Sequence, residues 1–169
     1  MKIALLDDNL EQLEKNQKFL STLPVEIVTA CTNAKVFLQE VKASKPDVLV
    51  LDLNLGDSYM TGMEVAFELK LPVLFASSNT PEYVKEMERL KRDESLCVDH
   101  ITKPFSETDF KKTLSRFLTE VQFFANQQHI YLDLGKQKRN KILLDSIVYL
   151  AADKSSGSES NNKEIYFNN

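Results

Sequence analysis

Short runs of apolar residues alternate with amphipathic segments through residues 1–124. Each run is of strand length, and the continuous apolar runs 48–51 and 73–76 are typical of strands buried on both faces of a sheet. The segments between them carry apolar residues at helical spacing. The runs predicted as strands are 3–6, 25–28, 48–51, 73–76 and 98–102, and the predicted helices are 10–20, 34–41, 63–69, one that opens at 80–82, and 106–124.

Five strands that alternate with five helices predict an α/β protein with a doubly wound parallel sheet and right-handed crossovers. In such a sheet, ligands bind beyond the carboxyl ends of the strands, where the strand order reverses. Polar residues follow four of the predicted strands, so we expect them to meet at one edge. They are Asp7 and Asp8 after the first strand, Asp52 after the third, Ser77 after the fourth and Lys103 after the fifth.

The predicted cluster has the chemistry of a cation site. Carboxylates held close together repel one another and need a counter-charge. Oxygen ligands favour a hard ion such as Mg²⁺, which typically takes one or two carboxylates and keeps several waters. A carboxylate beside Mg²⁺ and an ammonium group can attack phosphorus and form an acyl phosphate.

The motifs Asp7-Asp8, Asp52, Ser77 and Lys103-Pro104-Phe105 resemble the receiver domain of two-component response regulators. The resemblance covers residues 1 to about 122. It implies a flavodoxin-like (βα)5 sheet with strand order 2-1-3-4-5. It also implies phosphorylation on Asp52 by a sensor histidine kinase, with Mg²⁺ as cofactor.

The resemblance carries further roles over to single residues. Asp7, Asp8, Asp52 and the backbone carbonyl of Asn54 would hold Mg²⁺, and Ser77 and Lys103 would bind the phosphoryl group. His100 stands where the family often has a switching aromatic, and Asn54 and Asn79 stand where it tunes dephosphorylation. A cis peptide between Lys103 and Pro104 is implied as well. The loop 55–62 departs from the pattern, because it lacks the proline common there and is about two residues longer than is usual in the family.

Each motif also has a structural interpretation when it is taken alone. Asp8 could cap the first helix, Asp52 could be an exposed loop acid, and Ser77 could cap the fourth helix. The joint appearance of these residues at four strand ends favours a site. We assign Phe117, Val121, Phe123 and Phe124 to the core-facing side of the last helix.

The segment after residue 124 has a different pattern. Runs 130–135 and 141–144 are typical of two strands joined by a basic turn, and 145–152 and 163–167 follow as further short strands. This segment is similar to the opening of a LytTR-type DNA-binding domain, which is a longer domain. We therefore expect a receiver at 1–124 and a linker with a partial, truncated β-rich output domain at 125–169. The alternative is a β-hairpin extension that packs on the receiver or mediates dimerisation.

Composition narrows the class of protein. The chain has 169 residues, a formal net charge of −4 and a pI near 5.3, which makes no overall electrostatic case for nucleic acid. No apolar run approaches the roughly 20 residues that span a bilayer. Cys31 and Cys97 lie far apart without a motif and are interpreted as small buried hydrophobes in a reducing cytoplasm.

These observations predict a cytoplasmic response regulator whose full-length form regulates transcription, with DNA contacts outside this fragment and no membrane partner. The sequence does not decide whether the protein forms a homodimer. The alternative is a receiver that acts by protein contact or in a phosphorelay, with no DNA-binding output. An enzyme with a separate substrate is not expected. The segment 7–10 lacks the acid spacing of a haloacid dehalogenase-type phosphatase, and 11–13 is not the phosphate loop of a flavodoxin.

Overall fold

The structure, a computed structural model, describes residues 1–56, 59–78, 83–91 and 96–127, and four strands within 129–167. The chain divides into two compact units, Met1–Val121 and Gln122–Asn169. The strands of the first unit are β1 Lys2–Leu6, β2 Glu26–Cys31, β3 Val48–Leu51, β4 Val73–Ser77 and β5 Val98–Thr102. The helices are α1 Leu10–Leu20, α2 Ala34–Ser44, α3 Gly62–Leu69, α4 Val84–Lys91 and α5 Glu107–Gln127, which runs on past the boundary.

The strands of the first unit form one parallel sheet in the order β2-β1-β3-β4-β5. This order confirms the predicted doubly wound fold, because the chain moves outward from β1 to β2 and then crosses back to β3. Every residue of β3 is buried, as expected for a central strand covered on both faces. The order places β3 between β1 and β4, so the residues after β3 have neighbours on both sides.

Apolar side chains cover the two faces of the sheet separately, because successive residues of a strand point to opposite faces. In β1, Ala4 and Leu6 belong to one buried cluster, and Ile3 and Leu5 belong to the other. The first cluster includes residues of α2, α3 and α4, and the second includes residues of α1 and α5. The fully buried aromatic side chains are Phe37 and Phe75 in the first cluster and Phe110 and Phe117 in the second.

Local capping signals define several helix ends. Thr61 and Glu64 form a capping box at the start of α3, since each side chain accepts from the backbone N–H of the other. The Ser106 hydroxyl accepts from the N–H of Asp109 at the start of α5, near the predicted start of this helix at residue 106. The predicted start of the fourth helix at 80–82 lies outside the described residues. Within the part of the chain that is described, no helix is long and apolar enough to cross a bilayer.

Two details differ from the expected pattern. The second strand continues to Cys31, three residues beyond its apolar run, because 29–31 pair with β1 although they include Thr29. In α5, Phe117 and Val121 are buried as expected, but Phe123 is 59% exposed and Phe124 is 38% exposed. Phe124 continues the helical spacing of Phe117 and Val121, whereas Phe123 lies off that face.

The second unit contains two antiparallel strand pairs. Strand β6 His129–Asp133 pairs with β7 Arg139–Leu143, and β8 Ile147–Ala152 pairs with β9 Lys163–Phe167. These pairs agree with the predicted strands. Of the predicted basic turn between 135 and 141, residues 136–138 lie outside the described residues, and Arg139 and Asn140 belong to β7. Isolated two-stranded sheets are marginally stable in water, so each pair needs further packing to be stable.

Candidate functional site

Four strands end in polar residues at one edge of the sheet. Asp7 follows β1, Asp52 follows β3, Ser77 ends β4 and Lys103 follows β5. Backbone hydrogen bonds continue past the strand ends: Asp52 N donates to the carbonyl of Leu6 at 2.8 Å, and Lys103 N donates to that of Ser77 at 3.1 Å. The sheet itself therefore holds these residues side by side, as their positions in the sequence predict.

The ammonium of Lys103 joins the two buried carboxylates. Its Nζ donates to Asp7 Oδ2 at 2.7 Å and to Asp52 Oδ2 at 2.6 Å. Asp7 is 2% exposed and Asp52 9%, so both acids are withdrawn from water. Charges that are taken out of water need partners of opposite sign, and one lysine supplies a single positive charge for two acids.

Burial raises the pKa of the Asp7 carboxyl above its ordinary value of 3.8. The hydrogen bond and the charge of Lys103 lower this pKa, the charge of Asp52 raises it, and the N–H of Asn9 lowers it. Burial is the largest of these effects. The local environment therefore opposes the negative charge on Asp7, and an added cation would relieve that opposition.

Asp8 is exposed and does not cap the first helix. The cap of α1 is Asn9, whose Oδ1 accepts from the N–H of Gln12 at 3.0 Å. The interpretation of Asp8 as a capping residue is therefore wrong. One side chain is enough to cap the N-terminus of a helix, and Asn9, which follows the two acids, supplies it. The Asp8 carboxylate is left available for the cluster.

Asp7, Asp8 and Asp52 each offer a carboxylate oxygen within 4.8 Å of the others. This donor set consists of oxygen atoms alone, which suits a hard divalent cation better than a soft one. The exposure of Asp8 leaves the solvent side open for the waters that Mg²⁺ retains. The residues present thus fit a magnesium ion. With a nucleophilic carboxylate, an ammonium and a hydroxyl nearby, the site has the groups needed for phosphoryl transfer.

Gly62 makes a close backbone approach that the sequence analysis missed. A Cβ at this position would lie 1.8 Å from the carbonyl oxygen of Asp52. The Gly62 N–H donates to the carbonyl of Leu53 at 3.0 Å, so α3 begins directly against the residues after β3. Glycine is a poor helix former, and its position directly before the predicted helix 63–69 was the available signal.

The other predicted site residues differ in position. Asn54 donates its backbone N–H to Asp52 Oδ1 at 3.2 Å, and its side chain accepts from the N–H of Gly56. His100 is exposed and borders a groove of about 130 Å³ beside α4. Asn79 lies outside the described residues. The peptide bond between Lys103 and Pro104 is cis, in agreement with the implied geometry.

The chain belongs to the response regulator receiver domain family, whose pattern it matches over residues 3–115. Among solved structures, the chemotaxis response regulator CheY4 of Vibrio cholerae is 23% identical, with a TM-score of 0.58 over 69% of this chain and 97% of that one. NtrX from Brucella abortus is 24% identical, with a TM-score of 0.63 over 72% of this chain and 28% of that one. Both likenesses concern the fold.

Two curated relatives also match this chain by sequence. The sensory transduction protein LytT of Bacillus cereus is 27% identical over 134 residues, which are 76% of this chain and 52% of that protein. The transcriptional regulatory protein BtsR of Escherichia coli is 29% identical over 124 residues, 71% of this chain and 49% of that protein. The chain thus spans about half the length of these relatives.

Proposed function

We propose that this receiver accepts a phosphoryl group on Asp52 from a sensor histidine kinase, in the presence of Mg²⁺. The observation that carries the proposal is the contact of Lys103 with both Asp7 and Asp52 at the edge of the sheet. This arrangement combines a buried carboxylate with a positive charge that can pair with a transferred group. The protein is a phosphorylated regulator, and its chemistry is confined to its own phosphorylation and dephosphorylation.

The strand order favours Asp52 over its acidic neighbours as the acceptor. Because β3 lies between β1 and β4, Asp52 has the acid of β1 on one side and the hydroxyl of Ser77 on the other. Asp7 lies on the far side of Asp52 from that hydroxyl. Asp8 is exposed, so an acyl phosphate formed there would be open to water.

In the proposed transfer, a carboxylate oxygen of Asp52 attacks the phosphorus of a phosphohistidine. The new P–O bond forms as the P–N bond breaks, and the imidazole nitrogen keeps the bonding electron pair and takes up a proton. The Lys103 ammonium pairs with a phosphoryl oxygen, and the Ser77 hydroxyl donates to another. A bound Mg²⁺ supplies charge neutralisation for the phosphoryl oxygens. Asp7, Asp8, Asp52 and the carbonyl of Asn54 are its proposed ligands.

Two further roles belong to the same proposal. His100 lies on the exposed side of β5, where a shift of its side chain can report phosphorylation to the surface beside α4. Asn54 and Asn79 follow the acceptor and the hydroxyl by two residues and tune the lifetime of the acyl phosphate. Phosphorylation adds nearly two negative charges, which is enough to repack a polar site.

For the output, we propose control of transcription through a LytTR-type DNA-binding domain, of which residues 125–169 are the first part. The names of the relatives LytT and BtsR and the two strand pairs after α5 support this assignment. DNA contacts are assigned to the full-length protein. The alternative is a receiver without DNA output. Receiver-like chains occur with other activities, since a protein-glutamate methylesterase of Archaeoglobus fulgidus is 27% identical over 145 residues.

Phosphorylation can be tested with acetyl phosphate and Mg²⁺, followed by intact-mass measurement. We expect one added phosphoryl group on the wild-type chain and none on Asp52→Asn. The matched control is Asp47→Asn, which changes the acid directly before β3 at the opposite end of the same strand. An unchanged mass for the wild type would refute the proposal, and an adduct on Asp52→Asn would refute the choice of acceptor.

The output can be tested by comparing the product of the native reading frame with residues 1–124 in a DNA-binding assay on the promoter region of its own gene. We expect binding by the full product, strengthened by acetyl phosphate, and none by 1–124. A full product that binds no DNA in either state would support the alternative.

A further inference from the structure

Gly56 lies against Asp8 in the loop that follows β3. A Cβ placed on this glycine would lie 2.8 Å from Asp8 Oδ2, well inside ordinary van der Waals contact. The neighbour is the end of a side chain, so a substitution at position 56 would displace the Asp8 carboxylate before it displaced backbone. The position of the Asp8 carboxylate therefore depends on residue 56 having no side chain.

Backbone conformation alone does not account for a glycine here. Gly56 has a φ of 57°, in the left-handed region that favours glycine. Yet Lys45 and Lys70 adopt φ values of 46° and 50° at the ends of α2 and α3 with full side chains. The feature particular to Gly56 is its approach to Asp8.

The loop has little freedom to retreat from Asp8. Asn54 N donates to Asp52 Oδ1, and Gly56 N donates to Asn54 Oδ1, both at 3.2 Å. Leu55, between them, is buried in the core cluster of α2 and α3. Two successive side-chain turns and one buried leucine thus tie Gly56 to the residue proposed as the acceptor.

We propose that Gly56 is a positioning residue for the cation site. Its lack of a side chain lets the Asp8 carboxylate stay within reach of Asp7 and Asp52, where the three can share one Mg²⁺. The inference rests on the proposed function, because it takes the carboxylate cluster to bind that ion. It adds a residue that acts on the metal site through Asp8 without being a ligand.

The test is the dissociation constant of Mg²⁺, measured by isothermal titration calorimetry on the unphosphorylated 169-residue chain. We expect Gly56→Ala to raise this constant by about tenfold or more, the usual effect of disturbing the residues that orient metal ligands. Gly56→Asn carries the same Cβ but tolerates a left-handed backbone, and we expect a similar loss. Lys70→Ala, a left-handed position at the end of α3, should leave the constant unchanged.

Repeating the Gly56→Ala measurement in the Asp8→Ala variant separates an effect of Asp8 displacement from an effect of general loop strain. In Asp8→Ala no carboxylate remains to be displaced, so adding Gly56→Ala should leave its Mg²⁺ dissociation constant unchanged. An unchanged constant for Gly56→Ala in the wild-type background would overturn the inference while leaving the proposed function intact. An equal loss in both backgrounds would also overturn it. A wild-type chain that binds no Mg²⁺ would overturn the proposed cofactor and the inference together.

Discussion

Lys103 Nζ lies 2.6 Å from Asp52 Oδ2, and the same ammonium lies 2.7 Å from Asp7 Oδ2. The lysine side chain is only 15% exposed, so the contact is largely shielded from water. One positive charge thus serves two carboxylates in the structure, and we expect loss of this lysine to affect both stability and the proposed phosphoryl transfer.

Lys103→Met should lower the free energy of unfolding by about 1–3 kcal/mol in buffer free of divalent cations, because it leaves two buried acids without their partner. Urea unfolding at neutral pH measures the change. The matched control is Lys111→Met, which removes the partner of Glu107 in a more exposed ion pair on α5 and should cost less than about 0.5 kcal/mol. Equal losses in the two variants would contradict a special role for the buried contact.

Asp7→Asn should be more stable than the wild type at neutral pH without divalent cations. The folded-state pKa of Asp7 is raised above 3.8, mainly by burial, so the folded chain holds this proton more tightly than the unfolded chain. The stability that the protonated Asp7 carboxyl contributes is therefore lost as pH rises from 3.8 through the folded-state pKa, and the asparagine variant lacks this loss. Urea unfolding across this range should show a gap between the two that widens with pH. A gap that narrows as pH rises would contradict the stated direction.

Gly62→Ala should destabilise the chain, although alanine is the better helix former by about 1 kcal/mol in an ordinary helix. The added Cβ would meet the carbonyl of Asp52 at 1.8 Å, so either α3 or the residue after β3 must move. We expect a loss of about 1–3 kcal/mol in urea unfolding, as for other overpacked sites, together with slower phosphorylation by acetyl phosphate. Greater stability in this variant would show that the approach to Asp52 is not restrictive.

The thiol of Cys31 should resist alkylation until high pH. Burial, with a smaller contribution from the adjacent Glu40, raises its pKa from 9.0 to about 11. The reactive thiolate should therefore appear in the folded chain only as pH approaches about 11. Peptide-level mass spectrometry after brief iodoacetamide treatment measures this profile.

Glu40→Gln should move the Cys31 profile to lower pH, because it removes the negative charge beside the thiol, which now donates to Glu40 at 3.3 Å. Cys97 is an internal control, since its own pKa of about 11 arises from burial and from Glu120. A shift of both cysteines in Glu40→Gln would indicate a general loosening of the fold.

Much of the fold could be predicted because the central strands are buried on both faces and read as continuous apolar runs, such as 48–51. The convergence of Asp7, Asp52 and Lys103 also followed from the sequence, since parallel strands end at a common edge. Their side-chain contacts could not be predicted, because residues 96 positions apart meet only through the strand order.

The features that were missed depend on distances that local sequence does not encode. Asn9, rather than Asp8, caps α1, and both residue types are good caps, so pattern alone could not choose between them. The close approaches of Gly56 and Gly62 depend on which atoms lie across the loop. The exposure of Phe123 follows from its position off the side of α5 that carries Phe117 and Val121.

Because Asn9 caps α1, the neighbouring Asp8 is not needed to cap this helix. Because Asn9 satisfies the first turn of the helix and Asp7 is held by Lys103, Asp8 can be replaced with little effect on folding. Substitution at this one position should therefore change the affinity of the proposed Mg²⁺ site while the scaffold stays intact. The residue on which the helix depends is thus distinct from the neighbouring residue that is proposed to bind the cation.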